Sequence, residues 1–166
     1  METITEISRK DFLEFNKYVL IKTRIKRHVI IALFFVLLWV VTLNLNSPFD
    51  WVVILIEIVV FSLAWAGLIF LLYQLNLYRI KKIPDKNGAI LGNKKYIILE
   101  EGFREITDTS DTTIKWPGIK KIVETDGYFY VFVDKMAAFI IPKRSFVDVN
   151  EQSQFFQQVE SRIDSE

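Results

Sequence analysis

The 166-residue chain contains no cysteine, which excludes disulfides, thiol nucleophiles and cysteine-based metal sites. Its one histidine, His28, borders an apolar run, so neither a histidine-rich metal centre nor a Ser-His-Asp arrangement can be assembled. Glycine is scarce, and Gly88 and Gly92 lack the strand–loop–helix setting that a phosphate-binding loop needs. The net charge of +1 supplies no global field to recruit nucleic acid. The most telling scarcity is local. Residues 29–78 contain no lysine or arginine and only two acidic side chains, Asp50 and Glu57, so nearly all of the 21 cationic and 20 anionic residues lie elsewhere. A water-soluble domain rarely segregates charge in this way.

What fills that region is two apolar stretches. Val29 to Leu45 reads VIIALFFVLLWVVTLNL, and Trp51 to Tyr78 reads WVVILIEIVVFSLAWAGLIFLLYQLNLY. A spanning helix needs about 20 mainly apolar residues; the second stretch has them, and the first reaches that length when its ends extend into the interface. Asn46-Ser47-Pro48-Phe49-Asp50 lies between them as a turn-forming cluster, with Pro48 ending the first helix near Ser47. The pattern predicts a transmembrane helical hairpin whose backbone groups are satisfied within each helix. The 88 residues after Tyr78 are too few to cover two helices that are apolar all round.

The flanks set an expected orientation. Seven cations (Arg9, Lys10, Lys17, Lys22, Arg24, Lys26, Arg27) precede Val29, six (Arg79, Lys81, Lys82, Lys86, Lys94, Lys95) follow Tyr78, and the connecting loop has none. The positive-inside rule then places both termini of a multi-pass membrane protein in the cytoplasm, with the hairpin tip outside. The charged segment before Val29 is too long for a cleaved signal peptide. Glu57 stands about two turns into the second apolar stretch, where a carboxylate is a functional candidate by default. Thr42, Asn44, Asn46 or another subunit are its available partners. A shallow or protonated carboxyl near the interface, an oligomer contact and a proton-linked role all remain open.

Outside the hairpin the pattern changes. METITEI suits one short strand, and Ser8 with Asp11 three residues on forms a variant capping box for a helix carrying Phe12, Leu13, Phe15 and Tyr18. After a loop around Pro84 to Gly92, strand candidates run over 94–100, 103–107, 112–116, 119–125, 128–133 and 136–141. Asp126-Gly127 marks a hairpin, and Tyr128 to Val133 (YFYVFV) a central strand. Phe155, Phe156, Val159 and Ile163 fall at helical spacing and predict a closing amphipathic helix. The expected fold class is α+β: a two-helix transmembrane hairpin plus a small antiparallel half barrel, pleckstrin-homology-like, closed by the C-terminal helix. The expected segments are 1–28 (cytoplasmic strand and amphipathic helix), 29–78 (hairpin) and 79–166 (cytoplasmic domain), with the first strand free to join the same sheet.

These residues resemble a family. Ile4-Thr5-Glu6 with Asp11-Phe12 and Phe15, then the hairpin, then Glu101-Gly102-Phe103, Thr113 with Trp116, Ile119 and Ile122-Val123-Glu124, and finally Tyr128 to Val133 and Phe139-Ile140-Ile141-Pro142-Lys143-Arg144-Ser145-Phe146, are similar to the YcxB-like bacterial membrane proteins. IIPKRSF is the most specific piece. The resemblance implies a pleckstrin-homology-like C-terminal domain and carries no activity with it.

Two adjacent cations, Lys143 and Arg144, sit beside backbone N–H groups between the last strand and the last helix, an arrangement able to receive a phosphate or lipid headgroup, with Lys81 and Lys82 as further candidates. The competing reading is structural: Pro142 stops the strand, Phe146 plugs the core and the cations are solvated. Trp116 is in the same way a core anchor or a binding edge. Residues 79–166 hold 14 cations and 14 anions, so any basic patch is local. The sequence therefore predicts no enzyme, cofactor or metal, but a membrane-anchored binding or scaffolding protein with membrane lipid and a protein partner or a second copy as its contacts. An immunity-type or regulatory protein that binds a toxin or membrane enzyme, an anionic-lipid sensor and a proton-linked transporter subunit centred on Glu57 are the alternatives.

Overall fold

A computed structural model describes residues 1–45, 50–84 and 90–163, without the side chains of 23–27. The expected turn at Asn46-Ser47-Pro48-Phe49 and the cation Lys86 lie outside the described residues, as do the side chains of Arg24, Lys26 and Arg27. The elements are β1 (Glu2–Ile7), α1 (Arg9–Asn44), α2 (Trp51–Lys82), β2 (Gly92–Ile98), β3 (Gly102–Thr107), β4 (Asp111–Lys115), β5 (Lys121–Glu124), β6 (Tyr128–Asp134), β7 (Ala137–Pro142) and α3 (Val149–Ile163). The α+β class with antiparallel sheets and a C-terminal helix is as the sequence predicts.

The chain divides into two units, Met1–Phe15 with Lys81–Glu166, and Asn16–Ile80. This differs from the three segments read from sequence, because the first residues do not stand alone. β1 pairs antiparallel with β2, from Glu2 opposite Ile97 to Ile7 opposite Gly92. A lone strand would leave a row of N–H and C=O groups without partners, and β2 satisfies one such row. The inward face of β1 is Thr3, Thr5 and Ile7, while Ile4 is exposed. The isoleucine between the two threonines thus faces outward while the threonines face inward.

The first unit contains two antiparallel sheets, in strand order β1-β2-β3-β4 and β5-β6-β7. YFYVFV is the central strand of the second sheet, as its aromatic and β-branched composition suggests. Trp116 leaves the expected strand for a short 3-10 turn, Trp116–Gly118, because Pro117 has no N–H to give a ladder. The core packs Tyr96, Ile98, Phe103, Trp116, Ile119, Phe129, Val131, Ile141 and Phe146 against Phe155 and Val159 of α3. Arg162 donates to the Leu99 carbonyl and lies 5.5 Å from the Trp116 ring, which pins the far end of α3. The Trp116 indole N–H donates to the Glu100 carbonyl at 2.9 Å, so Trp116 is a core anchor.

Gly102 is fixed by crowding. A Cβ there would lie 2.8 Å from the carbonyl carbon of Ile114 and closer still to its oxygen. The backbones of β3 and β4 approach so tightly that no side chain fits between them, which gives the Glu101-Gly102-Phe103 motif its glycine.

In the second unit, α1 and α2 run antiparallel. Phe35 stacks on Trp65 (ring centroids 5.6 Å), Trp39 packs at a tilt against Phe61 (4.7 Å), and Asn44 Nδ2 donates to Glu57 Oε2 at 2.9 Å. Helix α2 is long and apolar enough to cross a membrane, and none of its residues is buried. The apolar part of α1, His28–Asn44, is shorter.

Candidate functional site

The best-formed candidate site lies where α3, the β5–β6 hairpin and the 3-10 turn Lys143–Ser145 meet. There a cleft of about 910 Å³ is floored by Phe129 and Phe146 and walled by Gln152, Ser153, Phe156 and Gln157 of α3. Glu124 and Asp126 stand at its hairpin end, and Tyr128, Lys143 and Arg144 along its side. Pro142, with φ −65° and no amide N–H, ends β7 and turns the chain into Lys143-Arg144-Ser145. Phe146 is buried against Phe129 and Phe155, so the turn is pinned to the core.

Both cations of the turn are already paired. Lys143 Nζ lies 2.5 Å from Glu124 Oε1 and 5.1 Å from the centre of the Phe129 ring, and its side chain is only 18% exposed. Arg144 makes a two-pronged bond to Asp11, with both nitrogens at 2.7 Å from the carboxylate oxygens, and donates a third bond to the Glu6 carbonyl at 3.1 Å. This is the fork-to-fork geometry that makes arginine–carboxylate pairs strong.

Asp11 is the hub of the site, and it is 1% exposed. Besides Arg144 it accepts the Ser8 N–H at 2.8 Å, the Ser8 hydroxyl at 2.6 Å and the Tyr128 hydroxyl at 2.8 Å. The capping box read from sequence therefore exists, and Ser8 and Asp11 cap the N-terminus of α1. The carboxylate that caps the helix is also the one that holds the turn between β7 and α3. Burial pushes the Asp11 carboxyl upward, but hydrogen bonds from Arg144, Ser8 and Tyr128 more than offset it and hold the group well below the usual carboxylate range. Burial, the hydrogen bond to Asp11 and the Asp11 charge push the Tyr128 phenol up to about 12. Asp11 thus stays ionised and Tyr128 protonated throughout the neutral range, which suits a fixed binding surface better than proton transfer.

The other expected site residues lie elsewhere. Lys81 and Lys82 are at the end of α2, where the Lys81 carbonyl accepts a bond from Arg9 at 3.0 Å. Glu57 is in the second unit with Asn44 as its partner, one of those named from sequence. Among the described residues, no group of three or more His, Asp or Glu side chains is placed to hold a metal ion. Sequence reasoning missed Asp11, Tyr128 and Glu124 as members of the site. The capping spacing pointed to Asp11 only as a helix cap, and nothing local links it to an arginine 133 positions away.

Residues 98–159 match the family described as YcxB-like protein, which bears out the resemblance over that stretch, including Gly102, Trp116 and the IIPKRSF segment. No curated protein and no solved structure matches the chain.

Proposed function

We propose that the chain is a non-enzymatic, membrane-anchored binding protein, in which two spanning helices hold a pleckstrin-homology-like domain at the bilayer and the cleft beside α3 receives a protein partner. The observation that carries this reading is α2, whose 32 residues present apolar side chains on every side with none buried. Exposed apolar surface costs about 25 cal/mol per Å² in water, and lipid removes that cost. The apolar part of α1 pairs with α2 through Phe35, Trp39 and Asn44, which supports a two-span hairpin. The strand order β1-β2-β3-β4 and β5-β6-β7 with a closing helix supports a pleckstrin-homology-like half barrel, its first two strands separated in sequence by the hairpin. The cationic flanks favour cytoplasmic termini.

The mechanism is tethering. A domain fixed to a surface meets partners on that surface at high effective concentration, so weak contacts suffice. The cleft offers a floor of aromatic side chains, a residue class enriched in protein interfaces, and hydrogen-bonding amides on its wall. A headgroup site at Lys143 and Arg144 is less well supported, because an incoming phosphate would have to displace Glu124 and Asp11.

The test is alkaline carbonate extraction of membranes from cells carrying the tagged full-length chain, followed by cross-linking and purification in mild detergent. Retention in the pellet, with a stoichiometric protein cross-linked to Gln152–Gln157, is the expected result. Release by carbonate would overturn the anchoring. Enriched anionic lipid with no protein would overturn the cleft as a partner site and favour the headgroup reading.

A further inference from the structure

A second cavity, of about 390 Å³, opens at the other end of the barrel, and no α3 residue lines it. That volume is within the range of about 300–1,000 Å³ typical of small-molecule pockets. Its wall is mainly apolar, with Phe12 and Phe15 of α1, Ile114 of β4, and Ile140 and Phe139 of β7. Ala137 and Ala138 also line it, and their short side chains leave the room.

One feature of this cavity has no packing rationale. The inward positions of β2 run Ile98, Tyr96, Lys94, and Glu105 points inward from β3 opposite Tyr96, so an ion pair stands among the inward side chains. Lys94 Nζ and Glu105 Oε1 are 2.8 Å apart, with side chains only 10% and 14% exposed. Two apolar side chains of similar size would stabilise the barrel at least as well, because desolvation offsets most of the Coulombic gain of a buried pair. Beside it the Tyr96 hydroxyl donates to the Ile140 carbonyl at 3.0 Å. The cavity thus has an apolar wall and one polar patch carrying adjacent charges of opposite sign. Met136 and Ile90 stand at its rim, 53% and 39% exposed.

We infer that this cavity binds a single-chain zwitterionic amphiphile of the lysophospholipid class, its acyl chain along the Ala137–Ile140 wall and its headgroup at the Lys94–Glu105 pair. The phosphate faces the ammonium of Lys94 and the headgroup ammonium faces the Glu105 carboxylate, so each charge entering the site meets its complement. A purely anionic headgroup would meet the Glu105 carboxylate as well, and is disfavoured. The inference rests on the anchored reading, because the bilayer is the source of the ligand.

The test uses the full-length chain in phosphatidylcholine nanodiscs with a lysophosphatidylethanolamine carrying a photoreactive diazirine in its tail. After illumination, the labelled peptides are mapped by mass spectrometry. The expected result is label on β7 between Ala137 and Ile140, reduced at least fivefold by excess unlabelled lysophosphatidylethanolamine and much less by the same excess of lysophosphatidic acid. Ala138→Phe should remove at least four-fifths of the β7 label and leave the label on residues 29–78 unchanged. The pair Lys94→Gln with Glu105→Gln keeps the cavity and should abolish the headgroup preference. Amide exchange of β6 peptides at the wild-type rate establishes that both variants are folded. Label confined to the helices would overturn the cavity while leaving the anchoring intact, and label on neither would overturn both. β7 label that survives Ala138→Phe, or equal competition by lysophosphatidic acid, would also refute the proposal.

Discussion

Replacing Arg144 by alanine tests the hub of the site most directly. The substitution removes two charge-assisted bonds of 2.7 Å from a carboxylate that is 1% exposed. Removing one partner of a buried ion pair costs about 3–5 kcal/mol, because the other charge stays buried without compensation. The Arg144 side chain is 55% exposed, so water screens part of the lost interaction, and Ser8 and Tyr128 still donate to Asp11. A loss of about 2–3 kcal/mol follows, which is about a 30- to 150-fold rise in the rate of globally limited amide exchange. Hydrogen-exchange mass spectrometry of β6 and β7 peptides, on the full chain in mild detergent, reads this without interference from the helices. The pH dependence adds a second check. The Asp11 carboxyl lies below its ordinary value when folded, so its contribution is complete above the unfolded value of about 3.9 and is lost as the pH falls from there through the folded value. The wild type should therefore lose protection below about pH 4, and Arg144→Ala should lose less, having already lost the cation that depresses Asp11. A rise in exchange of less than threefold, or parallel acid profiles for the two proteins, would refute the reasoning.

Two further outcomes follow from the packing. Gly102→Ala places a methyl group against the backbone of Ile114, and relieving that clash means parting β3 from β4. The expected cost is at least about 2 kcal/mol, seen as a fall of about 8–16 °C in the thermal unfolding of the first unit. Glu57→Gln keeps a hydrogen-bonding group opposite Asn44, so under the tethering reading the yield of co-purified partner should stay within twofold of wild type. Abolished function with the chain still in the membrane would instead point to a proton-linked role.

The strands and closing helix were legible because alternation, aromatic content and the Asp126-Gly127 turn are local signals. Boundaries moved where backbone chemistry intervened, as when Pro117 took Trp116 out of β4. The placement of β1 was open in the sequence, since ETITEI has no strong apolar face and its inward positions include two threonines. The site was half legible. Lys143 and Arg144 stood out as adjacent cations, but what they bind depends on Asp11 and Glu124, which only tertiary folding brings near. A cation paired with a distant carboxylate and a cation waiting for a phosphate look identical in one dimension.

The pairing of β1 with β2 has a consequence for biogenesis and turnover. Glu2 meets Ile97, so the ribosome must synthesise both long helices before the first strand has anything to pair with. At about 5–20 residues per second, β1 waits several seconds while the apolar segments are made, and its sheet is completed only after them. The same topology resists proteolytic separation of the two units. A single protease cut between the end of α2 and β2 would not free the folded domain, because β1 stays clamped to β2 while its own chain continues into α1. Two cuts, one on each connection, are needed to part the domain from its helices.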